Sequence, residues 1–390
     1  MTEPQKFDTH VCLVSDQATP NLLPLLDERW RPRKVVLATS SKMRSQAEAL
    51  ESLLQTKGVK VETLHLRDVY DYAALCDDFQ GFLDAGSEAS LALNVTGGTK
   101  LMAVAAQEVF RAYSRPAFYV SIETDEIISL TGGHSAPLDT KLKIVESLRA
   151  HGYVAKGGET PQVTALQRDL AARLIDRVSS AGQALGQINR LAQEAKPSLR
   201  CRMTDADLDS KSLSNMLALF ADAGYVRQVG TALTFPDESS RFFVGGGWLE
   251  YHLLQVLRDL QGIHPITDIA FSLKVIRSDG KTDNEIDVAF MYRNTLHIIE
   301  CKSANLARSG STQDDKAKEA VYRMESLLKL GGLRTHGMIV DYRGAFTASD
   351  ASRFLAQRAR IETLSGSELK DAKAQIERRW LKAPVRSRGC

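Results

Sequence analysis

Asp287, Glu300 and Lys302, with Glu250 upstream, are the residues whose types and spacing can do chemistry. The stretch Asn284-Glu285-Ile286-Asp287-Val288-Ala289-Phe290, the pair Arg293-Asn294 and the stretch Leu296-His297-Ile298-Ile299-Glu300-Cys301-Lys302 read as two β-strands joined by a polar turn. Both arms alternate or run apolar over strand-like lengths, and Arg293-Asn294 supplies the turn chemistry. Side chains two apart on a strand share a face, so Glu300 and Lys302 project together while Ile299 and Cys301 face away. A paired neighbouring strand brings Asp287 beside them. Two carboxylates and an ammonium in one place suit metal-assisted phosphodiester hydrolysis: the acids hold hard Mg2+ or Mn2+, and the lysine steadies the attacking hydroxide or the developing phosphorane charge. A lone Glu-x-Lys is usually a solvated ion pair. Here Val288, Ile298 and Ile299 make the flanking positions buried sheet, where unpaired acids are costly.

Gly245-Gly246-Gly247-Trp248-Leu249-Glu250 opens an amphipathic helix with an acid near its start, able to add a third carboxylate. Helix-borne acid, strand Asp, then Glu-x-Lys is the order of the PD-(D/E)xK restriction-endonuclease-like nucleases, and this part of the chain resembles them. Ile286-Asp287 stands where the motif nominally has Pro-Asp. Asp287 and Glu300 are expected as metal ligands, Lys302 as the electrostatic partner of the scissile phosphate or nucleophile, and Glu250 as an outer ligand or water orienter. Glu285 shares strand parity with Asp287 and is a reserve candidate; Gln313 and Tyr322 are weaker suggestions for substrate contact.

The elements that must position these residues sit in a chain of 390 residues, 43% hydrophobic and 25% charged. This ordinary globular composition suggests two or three domains. No apolar run is long enough to span a membrane and Met1-Thr2-Glu3-Pro4-Gln5-Lys6 lacks signal-peptide character, so a cytoplasmic protein without a membrane partner is expected. The five cysteines are scattered with no Cys-x-x-Cys, which indicates neither a zinc ribbon nor a disulfide framework. A net charge of +2 does not by itself indicate nucleic-acid binding. That would need local patches, such as Arg378, Arg379, Lys382, Arg386 and Arg388, or Lys316, Lys318 and Arg323 on a predicted helix, and such charges also serve plain solubility.

Residues 1–155 alternate short apolar strands with amphipathic helices, the pattern of a doubly wound α/β domain whose ligands sit at the carboxyl ends of the strands. Thr96-Gly97-Gly98-Thr99-Lys100 lies at one such end, directly before a helical pattern. Small residues there permit close backbone approach and helix amides favour anions, so phosphate binding stands beside a plain tight turn as a reading. It is neither a Walker A loop nor a Gly-x-Gly-x-x-Gly. With Asn94-Val95 before it, Val14-Ser15-Asp16 after the first strand and Thr39-Ser40-Ser41-Lys42 after the second, the region resembles the CRISPR-associated Rossmann fold, or CARF, domain. The resemblance implies a cyclic oligoadenylate ligand, cyclic tetra-adenylate by family frequency, bound across a homodimer. It places Ser15, Asp16, Gln17, Thr39, Ser40 and Lys42 toward base and ribose, Thr96, Gly97, Gly98, Thr99 and Lys100 on the phosphates, and Asn94 as the residue ordering the turn.

Around Gly152 to Pro161 the alternation stops, which reads as a linker. Residues 156–240 follow as helices, Gln162 to Glu194 and Leu208 to Gly224, then a hairpin turning at Gly230, suggesting a small winged-helix-like connector. The recognition-helix candidate carries Ser214, Asn215, Met216, Leu217 and Asp222 with almost no basic residue, which favours a spacer or dimerisation role over DNA readout. Residues 241–390 complete the nuclease-like domain. The pairing of both signatures resembles the ancillary nucleases of type III CRISPR antiviral systems, implying a cyclic-oligoadenylate-activated, metal-dependent nuclease acting on DNA, RNA or both. The alternative is a ligand-controlled transcriptional regulator with a non-catalytic C-terminal domain. A metal-independent HEPN-type ribonuclease using Arg258 and His264 is disfavoured, because Gly262 and Pro265 break the helix that must display them.

Overall fold

The computed structural model describes residues 6–86, 90–277, 280, 283–303 and 313–382, with the backbone alone at Asp283, Gln313 and Asp314. The N-terminal sheet contains β1 (Thr9–Leu13), β2 (Lys34–Thr39), β3 (Lys60–His65), β4 (Leu91–Asn94), β5 (Ala117–Ser121), β6 (Glu126–Ser129) and β7 (Ser135–Pro137), in the order β3-β2-β1-β4-β5-β6-β7. Pairing is parallel from β3 to β5 and antiparallel through β6 and β7. Every residue of β1 is buried, as a central parallel strand covered on both faces must be. Helices α1 (Thr19–Leu26), α2 (Arg44–Gln55) and α5 (Ile144–Ala150) cover one face, and α3 (Tyr72–Ala85) and α4 (Lys100–Ala112) the other. The strand order reverses direction at β1 and β4, which opens a crevice beyond their carboxyl ends.

The expected linker is corrected by the structure. Tyr153–Gly158 is a strand, β8, paired antiparallel with β12 at the edge of the second sheet, so the boundary expected at residue 155 falls inside it. Gly157 and Gly158 have φ of 70° and 90°, and at Gly158 a Cβ would run into Leu273. The two glycines that read as a chain break serve the close approach of two strands at an irregular register.

The connector holds α6 (Ala165–Asp176), α7 (Gly182–Glu194), β9 (Arg200–Arg202), α8 (Asp205–Leu208), α9 (Lys211–Asp222), β10 (Arg227–Val229) and β11 (Ala232–Thr234). The single helix expected over 162–194 is therefore two, and β9 joins the expected hairpin as a third strand in the order β10-β11-β9. Met216 and Leu217 of the recognition-helix candidate are buried in the core.

The C-terminal part runs α10 (Glu238–Phe242), a wide helical turn over Phe243–Gly247, α11 (Trp248–Gln261), β12 (Ile266–Arg277), β13 (Asp283–Tyr292), β14 (Thr295–Lys302), α12 (Gln313–Leu328), β15 (His336–Asp341), α13 (Ala345–Ala348), α14 (Asp350–Arg358), β16 (Ile361–Ser365) and α15 (Ala372–Ile376). Its sheet has the order β16-β15-β14-β13-β12-β8. One face packs on α11 and the connector through Trp248, Val288, Phe290 and Ile299. The other packs on α12 and the N-terminal helix α5 through Ile298, Val321, Met324 and Leu148. Among the described residues no helix is long and apolar enough to cross a membrane.

Candidate active site and sensor crevice

The β13–β14 hairpin places the acids. Arg293 and Asn294 have φ of 48° and 55°, the left-handed pair of a two-residue turn that matches strand twist. The register ends at Val288↔Ile299, so Asp287 and Glu300 follow directly beyond the last pair, close enough that the Glu300 charge acts on Asp287. The Cys301 amide donates to Asp287 Oδ2 at 2.7 Å, fixing that carboxylate against the next strand. Glu300 is buried, with its side chain only 1% exposed. Its Oε1 takes the Lys302 ammonium and, at 2.9 Å, Arg323 Nε from α12, while its Oε2 has no partner.

Electrostatics mark this cluster as an acid trap. Burial, and then the Glu300 charge, push Asp287 up to about 7. Burial also raises Glu250 well above the carboxylate range, and the charges of Asp287, Glu285 and Glu300 add to it. Burial works against the Lys302 ammonium, yet Glu300 and Asp287 hold it above its ordinary value, so it stays charged. Cys301 is raised by burial and by the same acids, which keeps it a thiol and removes it as a nucleophile.

The donor set fits a hard divalent cation. It is all carboxylate oxygen, it includes a buried oxygen with no partner, and burial with the neighbouring acids raises the proton affinity of Asp287 and Glu250, a penalty that added positive charge relieves. Among the described residues no group of three or more acids, histidines or cysteines lies close enough together to hold a metal ion by itself.

Glu285 accepts from Ser272 Oγ at 2.9 Å, and its charge still reaches Glu250. Tyr322 is 59% exposed on α12, and the Gln313 side chain lies outside the described residues. Arg323, grouped from sequence with Lys316 and Lys318 as a surface cation, instead reaches Glu300; the pattern of a charged helix face carried no signal of this. Arg258 donates to the Thr160 carbonyl at 3.0 Å and His264 meets Glu377 at 2.9 Å, so they share no site. Near the C-terminus Arg379 pairs with Glu368 and Arg378 with Gln375, whereas Arg386 and Arg388 lie outside the described residues.

At the sensor crevice, Asn94 is buried and organises the loop. Its amide donates to the Pro20 carbonyl and to Asn21 Oδ1, both at 3.1 Å, and its Oδ1 accepts from the Thr96 amide at 3.1 Å and hydroxyl at 2.7 Å. Gly97 and Gly98 lie against Leu13, where a Cβ would collide. Thr99 caps α4 by accepting from the Met102 amide at 3.1 Å, and Lys100 is exposed on its first turn. Across the crevice Ser15 Oγ accepts from the Gln17 amide at 3.3 Å, Asp16 holds Gln46 at 2.9 Å, and Ser40 and Lys42 are open to solvent to differing degrees. Thr39 corrects its expected placement: it is buried, and its hydroxyl turns to the Ser40 carbonyl at 3.2 Å instead of facing a ligand.

The N-terminal and C-terminal parts meet at the turn of the β13–β14 hairpin. The Leu142 amide donates to Asn294 Oδ1 at 2.9 Å and Asn294 Nδ2 donates to Asp125 at 3.1 Å, so the hairpin's turn is gripped by the sensor. Beside this seam a cleft of about 1530 Å3 runs between Asp16 and Gln46 on one side and Arg334 and Arg360 on the other.

Residues 9–147 match the family model of the Card1 CARF domain and residues 237–383 that of the Card1-like endonuclease domain. The chain belongs to the Card1-like CARF endonucleases. Its C-terminal part is thus an endonuclease domain and its N-terminal sheet a CARF domain, in an α/β architecture. Protein VC1899 from Vibrio cholerae is similar over 96% of this chain and 98% of its own, with 25% identity and a TM-score of 0.83. Can2 from Sulfobacillus thermosulfidooxidans, solved with cyclic tetra-adenylate, shares the fold over 96% of this chain and 100% of its own, with 23% identity and a TM-score of 0.79. A type III CRISPR defence DNA nuclease activated by cyclic oligoadenylate aligns over 86% of this chain but 45% of its own, with 19% identity and a TM-score of 0.51. No curated protein sequence matches the chain.

Proposed function

We propose that this endonuclease hydrolyses phosphodiester bonds with Mg2+ or Mn2+ held by Asp287 and Glu300, that Glu250 is the outer ligand or water orienter, and that a cyclic oligoadenylate bound by the sensor of a cytosolic homodimer switches it on. The observation that carries this reading is the convergence of Asp287, Glu300 and Lys302 on one face of the β13–β14 hairpin, with a buried carboxylate oxygen left without a partner. When bound, a divalent ion supplies Lewis-acid polarisation of the phosphoryl oxygen and acidifies water. Lys302, held cationic by its neighbours, is placed to steady negative charge developing on the phosphate. Glu250, raised in proton affinity by burial and then by the Asp287 charge, is suited to take or relay a proton.

Cyclic tetra-adenylate is the proposed activator, because the Can2 structure of the same fold holds it. The exposed Lys100, the α4 amides and the glycine pair offer a cradle for phosphate. A transcriptional regulator is less well supported: the recognition-helix candidate spends Met216 and Leu217 on the core and offers few cations. The test is incubation of the full chain with labelled DNA and RNA, with Mg2+ or Mn2+, with and without each cyclic oligoadenylate. Cleavage requiring both ion and activator supports the proposal; a mobility shift without cleavage in Mn2+ favours the regulator; activity persisting in EDTA removes the metal reading.

A further inference from the structure

Glu300 is loaded unevenly. Its Oε1 carries two cations, Lys302 and Arg323, while its Oε2, buried in the same carboxylate, carries none. Lys302 sits on the same strand two residues away and cannot retreat far. Arg323 comes from α12, its side chain is 48% exposed, and its Nη2 has a second anchor at 3.1 Å on the Glu285 carbonyl.

We propose that Arg323 is a counter-ion gate: its guanidinium stands in for the divalent cation at the Glu300 carboxylate, yields it when the ion arrives, and stays tethered to Glu285 with N–H groups free for a phosphate oxygen of the nucleic-acid strand. This rests on the metal-dependent reading above. A divalent ion taking the free Oε2 of Glu300 would lie against two cations already held by the same carboxylate, and their repulsion weakens its hold; of the two, Arg323 has a second hold outside Glu300, so it is the one that yields. Arginine suits the role because it keeps its charge at any working pH, so the competition is not relieved by proton loss, and because its planar fork serves carboxylate and phosphate alike. Arg323 is thus a positioning residue acting through Glu300, and it touches substrate only after release.

The experiment is calorimetric titration of Mn2+ into the metal-free full-length chain, comparing wild type, Arg323→Gln, Arg323→Lys and Glu300→Gln, with thermal melting of each. Arg323→Gln is expected to bind Mn2+ roughly five-fold more tightly, the most that removal of a partly exposed competing pair gives, while its cleavage at saturating Mn2+ falls. Arg323→Lys is expected to return affinity toward wild type. A merely structural arginine would lower the melting temperature with no gain in Mn2+ affinity, and that result overturns the gate. Binding present in wild type, lost in Glu300→Gln and unchanged in Arg323→Gln removes the gate alone. No Mn2+ binding by wild type removes the metal reading and the gate with it.

Discussion

Replacing Asp287 by asparagine is expected to stabilise the metal-free protein while ending its cleavage. The folded state raises this carboxyl from its ordinary 3.8 to about 7, through burial and then the Glu300 charge. Between about pH 4 and pH 7 the folded chain therefore keeps a proton that the unfolded chain has released. Stability falls as pH rises through that window, and the whole penalty is present above it. A rise of that size corresponds to at most about 4 kcal/mol. The charge is shared with Glu250 and relaxation lowers its cost, so about 2 kcal/mol is the expected gain on removing it. Asparagine keeps an oxygen to accept from the Cys301 amide, so the bond at 2.7 Å survives the exchange. The assay is thermal unfolding in EDTA near pH 8 and near pH 5.5, in parallel with nuclease activity. The variant should melt several degrees above wild type at the higher pH, at about 2–4 °C per kcal/mol, and the gap should shrink to about half at the lower pH, the middle of that window. A variant less stable than wild type near pH 8, or a gap independent of pH, refutes the reasoning.

Glu300→Ala and Lys302→Ala are each expected to abolish cleavage, by at least about 100-fold, with activator binding unchanged in a direct titration; metal-dependent cleavage persisting in the Glu300 variant would remove that residue from the site. Lys100→Ala should weaken the activator, seen as a higher concentration for half-maximal cleavage, with basal fold intact by circular dichroism. Gly97→Ala should be more severe, because the added methyl meets the Leu13 carbonyl, and a melting temperature unchanged from wild type would contradict that contact. Asn294→Gly keeps the left-handed backbone but loses the bonds to Leu142 and Asp125. It is expected to bind activator normally and respond to it with less cleavage, and a full response would show that the hairpin turn does not carry the signal.

What could be read from sequence was set by local physics. The hairpin was legible because β-strand alternation and a two-residue polar turn fix register without distant information, and the register alone brings Asp287 to Glu300. The sensor's buried strands and glycine loop were legible for the same reason, since continuous apolar runs and glycine-to-helix transitions are local patterns. β8 was not, because Gly157 and Gly158 match a chain break and the strand's partner, β12, lies more than a hundred residues further on. Nor was Arg323 separable from the other cations of α12, because helical spacing states which face a side chain takes but not which acid waits across the fold. Thr39 was misjudged because a hydroxyl at a strand's carboxyl end can turn either to solvent or to its own backbone, and the sequence is silent on the choice.

Strand β8 follows directly from the sensor's last helix yet is stitched onto the border of the endonuclease sheet, with the whole connector looped out before β12 arrives beside it. Cutting the chain after residue 158, or grafting a foreign sensor there, would strip a border strand from one half and leave β12 with bare amides and carbonyls. Each half alone would then be prone to self-pairing. Any exchange of the N-terminal part therefore has to leave β8 with the sheet it completes.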